Sequence, residues 1–67
     1  MPMSSRDVIR ILQDHDWRYD YTRGDHHYFK HPEIRGKISV PHPKKDIVLK
    51  TVISIFKQAG IDHKKYL

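Results

Sequence analysis

Hydrophobic positions along this chain change period twice. Val8, Ile9, Ile11 and Leu12, with His15 beyond them, form a stripe at helical spacing. Ser4-Ser5-Arg6-Asp7 just ahead resembles a capping box, with Ser4 as N-cap and a carboxylate three residues on. A first helix is therefore predicted from about Ser5 to His15, its work core burial, with His15 beside the last carbonyls, which favour a cation. Met1 to Met3 are expected to fray. From Trp17 the period drops to two: Trp17, Tyr19 and Tyr21 alternate with Arg18, Asp20 and Thr22, a half-buried strand pattern. The three aromatics are read as the inward side of a thin core in preference to a base-stacking platform.

Arg23-Gly24-Asp25 is a predicted turn in which Gly24 supplies the positive φ of a short hairpin loop. A second strand then runs from His26 to about His31 and ends at Pro32. Alternation puts His26, Tyr28 and Lys30 on one side and His27, Phe29 and His31 on the other. Phe29, the most apolar of the six, directs its side to the core, and a slip of one residue would exchange His26 for His27. After a turn at Glu33 to Gly36, Lys37-Ile38-Ser39-Val40 reads as a third strand with Ile38 and Val40 inward, stopped by Pro41-His42-Pro43, whose prolines hold His42 in place. A second helix is predicted from Ile47 to Ala59, with Leu49, Val52, Ile53 and Phe56 as its buried stripe. Gly60 takes the left-handed cap position, Ile61 folds back on the last turn, and Asp62 to Leu67 form a basic tail.

The predicted fold is α+β: one domain over residues 1–67, in the order α-β-β-β-α. Three antiparallel strands have both helices on one face and the other face open. Arg18, Asp20, Thr22, His26, Tyr28, Lys30, Lys37 and Ser39 are expected on the open face.

Composition adds a partner class to this picture. The 67 residues carry 13 Lys and Arg against 8 Asp and Glu, a formal net charge of +5, and the sequence pI is about 9.7. In so small a domain that charge favours an anionic partner, nucleic acid or an acidic protein surface, over plain solubility. The sequence holds no cysteine, so no disulfide or thiolate metal site is available. No apolar run approaches the roughly 20 residues of a membrane span, and no signal-peptide pattern opens the chain. A cytoplasmic location without membrane attachment is expected.

Three segments, taken in order, carry a resemblance. Gly24-Asp25-His26-His27-Tyr28-Phe29-Lys30-His31-Pro32 is the first, and Ile38-Ser39-Val40-Pro41-His42-Pro43 the second. The third is Ile53-Ser54-Ile55-Phe56-Lys57-Gln58-Ala59-Gly60-Ile61. Together they resemble the HicA family of toxin mRNA interferases, which commonly reads Gly-Ser-His-His before an aromatic strand, then Val-Pro-x-His, then Ile-Leu-Lys-Gln-Ala-Gly. The resemblance spans Ser5 to Ile61. It implies a fold like a double-stranded-RNA-binding domain, and metal- and cofactor-independent cleavage of single-stranded mRNA by a histidine of the Gly-x-His-His motif. It also implies a HicB-type antitoxin covering the active face. Carried over, the catalytic position falls on His26, with His27 as second choice. The sequence departs from the family at Asp25, where the family has Ser, and at Ile47-Val48-Leu49-Lys50-Thr51, where it often has a Gly-Thr-Leu helix start. A carboxylate at Asp25 would raise the pKa of the neighbouring histidine or repel RNA.

The chemistry suits these residues. RNA carries its own nucleophile, the 2′-hydroxyl; cleavage needs a base for its proton, an acid for the leaving 5′-oxygen and cations for the phosphorane. Imidazole, with an ordinary pKa of about 6.5, does either proton job near neutrality. Arg23, Lys30 and Lys37 are the expected phosphate contacts, and Tyr28 the expected base contact. His27 reads as a core-edge residue. His31 and His42 read as turn-stabilising, His42 with a place near the site. Neighbouring strand residues point oppositely and no Cys or paired acid completes a tetrahedral set, so zinc is not expected. Lysines 44, 45, 50, 57, 64 and 65 read as a solvated rim touching phosphate non-specifically. Two other functions fit the same pattern: a non-catalytic RNA-binding module, and a domain that docks an acidic protein.

Overall fold

The computed structural model describes residues 3–67, so the fraying expected of Met1 and Pro2 lies outside the described residues. Helix α1 spans Ser5–Asp14. Ser4 Oγ accepts the Asp7 backbone N–H at 3.2 Å, and the Asp7 carboxylate meets Arg10 at 3.7 Å. Val8, Ile11 and Leu12 are buried, with Ile9 packed at their edge. His15 caps the helix and donates from Nδ1 to the Ile11 carbonyl at 2.9 Å, as its position at the helix end predicts. Asp16 then reverses the chain at φ 69°, a left-handed conformation that Asp tolerates better than most residues.

Strands β1 (Arg18–Arg23), β2 (His26–Lys30) and β3 (Ile38–Pro41) form an antiparallel sheet in the order β1-β2-β3. Arg23 pairs directly with His26, so only Gly24 and Asp25 make the turn, with Gly24 at φ 59°. Phe29 on β2 and Ile38 and Val40 on β3 are buried, as their alternation predicts.

Strand β1 corrects its own pattern. Tyr19 lies opposite Phe29, but Tyr21, not Asp20, lies opposite Tyr28. Asp20 is the extra residue of a β-bulge, and one extra residue exchanges the two faces for everything after it. Tyr21, expected inward, shares the open face with Tyr28. Thr22, expected outward, shares the helix side with His27, and its Oγ1 lies 2.6 Å from the Tyr19 hydroxyl. Of the three aromatics read as core, only Trp17 is buried.

A second correction concerns the chain's first described residue and helix α2. Met3, expected to fray, pairs with Ile47, whose N–H donates to the Met3 carbonyl at 2.8 Å. That bridge holds Ile47 extended, so α2 spans Leu49–Ala59 and begins two residues later than its apolar run. Ile47 is buried and Leu49, expected in the core, is exposed; the buried stripe is Val52, Ile55, Phe56 and Ala59, with Ile53 half-buried. Gly60 caps the helix at φ 71° and the Ile61 N–H returns to the Phe56 carbonyl at 2.9 Å. Both helices contribute to one core with Trp17, Phe29, Ile38 and Val40, leaving the other sheet face open. The tail forms a 3₁₀ turn at His63–Lys65, and Tyr66 packs on Phe56 and His15.

Candidate functional site

The motif histidines open strand β2, at the end of the sheet formed by the Gly24-Asp25 turn and the close of β3. Because Phe29 fixes which side of β2 meets the core, His26 is exposed on the open face and His27 is half-buried on the helix side. The His26 ring makes no hydrogen bond among the described residues, and its cross-strand neighbours are Arg23 on β1 and Pro41 on β3.

The bulge gives the open face an aromatic centre. The rings of Tyr21 and Tyr28 stack with centroids 4.6 Å apart and planes within 7°. The Lys37 ammonium lies 4.8 Å from the Tyr21 ring centre. Of the four residues expected to contact RNA, Arg23 is exposed opposite His26 and Tyr28 lies in this stack. Lys30 and Lys37 instead converge on Asp20, at 3.7 and 3.0 Å. The Lys37 hydrogen bond, with Lys30 adding its charge, holds the Asp20 carboxyl below its usual 3.8. The same contact holds Lys37 above its usual 10.5. Two of the three expected phosphate-binding cations are thus engaged internally.

Around the end of the sheet, on the helix side, a second group assembles. His27 meets His42 edge to face at 4.8 Å and Tyr19 at 5.8 Å, and its Nδ1 is buried without a hydrogen-bond partner among the described residues. The His42 backbone N–H donates to the Asp25 carbonyl at 2.8 Å, tying this segment to the turn that leads into His26. The His42 Nδ1 lies 2.6 Å from Oγ of Ser5, which is only 2 % exposed. A shallow pocket of about 500 Å³ opens here, with Ser5, Arg6, His42, Lys44 and Lys45 in its lining. Arg6, Lys44 and Lys45 form no ion pair among the described residues.

The sequence reading missed Tyr21 and Ser5 as parts of this region and treated Lys44 and Lys45 as rim. No local signal marks the bulge that turns Tyr21 outward. The second serine of Ser4-Ser5 was a visible hint, because one cap needs only one hydroxyl. His31 behaves as expected for a turn: its Nδ1 accepts the N–H groups of Glu33 and Ile34 at 3.0 and 3.1 Å, and its Nε2 donates to the His15 carbonyl. Among the described residues no three His, Cys, Asp or Glu side chains come together to hold a metal ion, and no helix is long and apolar enough to cross a membrane.

The sequence model of a protein family described as "HicA toxin of bacterial toxin-antitoxin" matches residues 5–61. No curated protein matches the chain. The family match covers α1, the sheet, α2 and both regions just described, from Ser5 through His42. The chain belongs to the HicA toxin family, the toxin side of bacterial toxin–antitoxin systems, and that membership implies an antitoxin partner.

Proposed function

We propose that this toxin is a metal-independent endoribonuclease that cuts single-stranded mRNA, with His26 transferring a proton at the scissile phosphate. A HicB-type antitoxin silences it by covering the open face. The observation that carries this reading is the state of His26. It is exposed, without a hydrogen-bond partner among the described residues, opposite the exposed Arg23 and in the family's Gly-x-His-His position. An imidazole so placed has a nitrogen free to take or give a proton near neutrality. The Tyr21–Tyr28 stack presents a ring face on which an unpaired base can lie. The α-β-β-β-α order suits a fold like a double-stranded-RNA-binding domain. The formal charge of +5 supplies attraction to the phosphate chain.

The test is incubation with single-stranded RNA in the presence of a chelator. Wild-type protein is expected to cut, leaving 2′,3′-cyclic phosphate and 5′-hydroxyl ends, and His26→Ala is expected not to. Salt-dependent RNA binding by the wild type without cutting would instead identify a non-catalytic RNA-binding module.

A further inference from the structure

Three cations at one end of the molecule share a pocket in which no carboxylate answers them. Arg6 on α1 and Lys44 and Lys45 after β3 are exposed and line the shallow opening of about 500 Å³ beside Ser5, His42 and Pro43. None of the three forms an ion pair among the described residues. Of the nearby acids, Asp7 is engaged by Arg10, and Asp46 is exposed and does not line the pocket. The open face treats its lysines differently, giving Lys30 and Lys37 one carboxylate between them.

The grouping is held together by a buried junction. The Ser5 N–H donates to the Lys44 carbonyl at 2.9 Å, and the Lys44 N–H donates to Ser5 Oγ at 2.9 Å. The same Oγ lies 3.0 Å from the Lys44 carbonyl oxygen and 2.6 Å from His42 Nδ1. Ser5 and Lys44 are 39 residues apart in the chain, and their junction brings the segment of Lys44 and Lys45 to the turn of α1 that carries Arg6. Like charges gathered at one cleft repel one another and focus their field into it. The backbone bonds keep them together against that repulsion, and an anion seated among them removes it. The opening is of the size that takes a small ligand or one nucleotide unit. Arg6 offers phosphate oxygens a planar fork, and the two lysines add compact charges.

The pocket and His26 lie on different sides of the sheet. His42 packs on His27 on the helix side, whereas His26 is exposed on the open face. They adjoin round the sheet's end, where Pro41 pairs with His26 and the His42 N–H donates to the Asp25 carbonyl. A phosphate in the pocket is therefore not the one being cut. We propose that the pocket is a separate phosphate-binding site, in which Arg6, Lys44 and Lys45 hold a phosphate of the RNA chain away from the scissile one. The site anchors the chain and moves no proton. The choice of RNA as the source of the phosphate rests on the ribonuclease reading of the protein.

The experiment follows the NMR signals of Arg6, Lys44 and Lys45 in the wild-type protein during separate titrations with a 2′-O-methylated oligonucleotide, which cannot be cut, with adenosine 5′-monophosphate, and with hexaglutamate. Beside it, oligonucleotide affinities are measured in one fixed salt for two triple variants of equal net charge. One is Arg6→Gln, Lys44→Gln, Lys45→Gln; the other is Lys50→Gln, Lys57→Gln, Lys64→Gln, at exposed lysines outside the pocket. The oligonucleotide is expected to move all three sets of signals. The pocket variant is expected to bind it about 10-fold or more weakly, and the other variant to lose a smaller factor. Movement with the mononucleotide as well would show that the site takes a nucleotide phosphate free of the chain; movement with the oligonucleotide alone would show that it needs the chain. Signals unmoved by the oligonucleotide would overturn the proposal, and movement with hexaglutamate in its place would give the pocket to an acidic protein. Equal losses in the two variants would overturn it too, because net charge would then account for the binding. The titrations use the wild type, so they decide even if a variant unfolds. A wild type that fills the pocket with RNA and cuts none would fail the ribonuclease reading and keep the site; one that cuts RNA with the pocket signals unmoved would do the opposite.

Discussion

Strand β2 begins with two histidines and gives them opposite surroundings. Among the described residues, His26 is exposed with no hydrogen bond to its ring, whereas His27 is half-buried between Tyr19 and His42 with a buried nitrogen left unpartnered. The cations divide the same way. On the open face Lys30 and Lys37 close on Asp20; in the pocket at the sheet's end Arg6, Lys44 and Lys45 have no carboxylate among the described residues. Net charge alone therefore misleads about where an anion is drawn. The open face is aromatic and two of its cations share one carboxylate, while the cations where the strand ends meet α1 have none among the described residues.

The largest expected effect separates the two histidines. His26→Ala should lower cleavage by about 10²–10⁴-fold, the range of a lost proton-transfer group, and leave the thermal midpoint unchanged. His27→Ala should do the reverse in kind. It removes packing against His42 and Tyr19, costing about 1 kcal/mol, or about 4–8 °C in a domain of this size. Rates and melting curves of both variants check the contrast. If His27→Ala were the inactive variant and His26→Ala the active one, the roles given to the two sides of β2 would be exchanged.

The two serines at the start of α1 sharpen the comparison next. Ser5→Ala strips a buried acceptor from the Lys44 N–H and the anchor from His42, and is expected to cost about 1–3 kcal/mol. Ser4→Ala removes an ordinary cap and is expected to cost about 1 kcal/mol. Denaturant midpoints of the two variants rank them. Equal costs would mean that the Ser5 network adds nothing beyond a cap.

How much of this was legible in the sequence follows from which forces were local. The element order, the hairpin at Gly24, the cap at Gly60 and the inward side of β2 rest on periodicity, positive φ and one dominant apolar residue, Phe29. All of these are written within a few neighbouring positions. The outward turn of Tyr21 was not legible, because Trp17, Tyr19 and Tyr21 alternate perfectly and the bulge at Asp20 depends on pairing with β2. Nor was the late start of α2, which follows from the contact between Met3 and Ile47. The position of His26 was within reach of local rules, whereas the environment of His42 was not. Its partner Ser5 is 37 residues away, and only the folded chain brings the two together.

The aromatic pair gives a smaller test of the open face. Base–aromatic stacking contributes about 1–3 kcal/mol per base by alanine substitution. Tyr21→Ala is expected to weaken binding of an uncleavable RNA by an amount in that range, measured by titration in one fixed salt. Tyr19→Ala, on the other side of the sheet, is expected to change it less. The opposite ranking would mean that RNA does not use the face the bulge created.

The smallest effect comes from Asp20, and its sign is informative. Asp20→Asn adds one to the formal charge of +5 and releases two ammonium groups from the same carboxylate. If balance at Asp20 keeps the open face from competing for phosphate, the variant should bind RNA a few-fold more tightly at low salt. Its log–log salt dependence should steepen by at most about 0.7 for each lysine that gains a phosphate contact. The variant should also lose a pH dependence. Lys37 and Lys30 hold Asp20 below its usual 3.8, so its contribution to stability is complete above that value and fades as pH falls through the lowered one. Lys37, held above its usual 10.5, contributes fully below that value and loses its contribution as pH rises through the raised one. Both wings should flatten in Asp20→Asn when unfolding midpoints are followed against pH. Tighter RNA binding together with flattened wings would show that the carboxylate restrains these lysines. Unchanged binding with flattened wings would show that it holds β1 to its neighbours and nothing more, leaving the pocket cations as the charge that RNA meets.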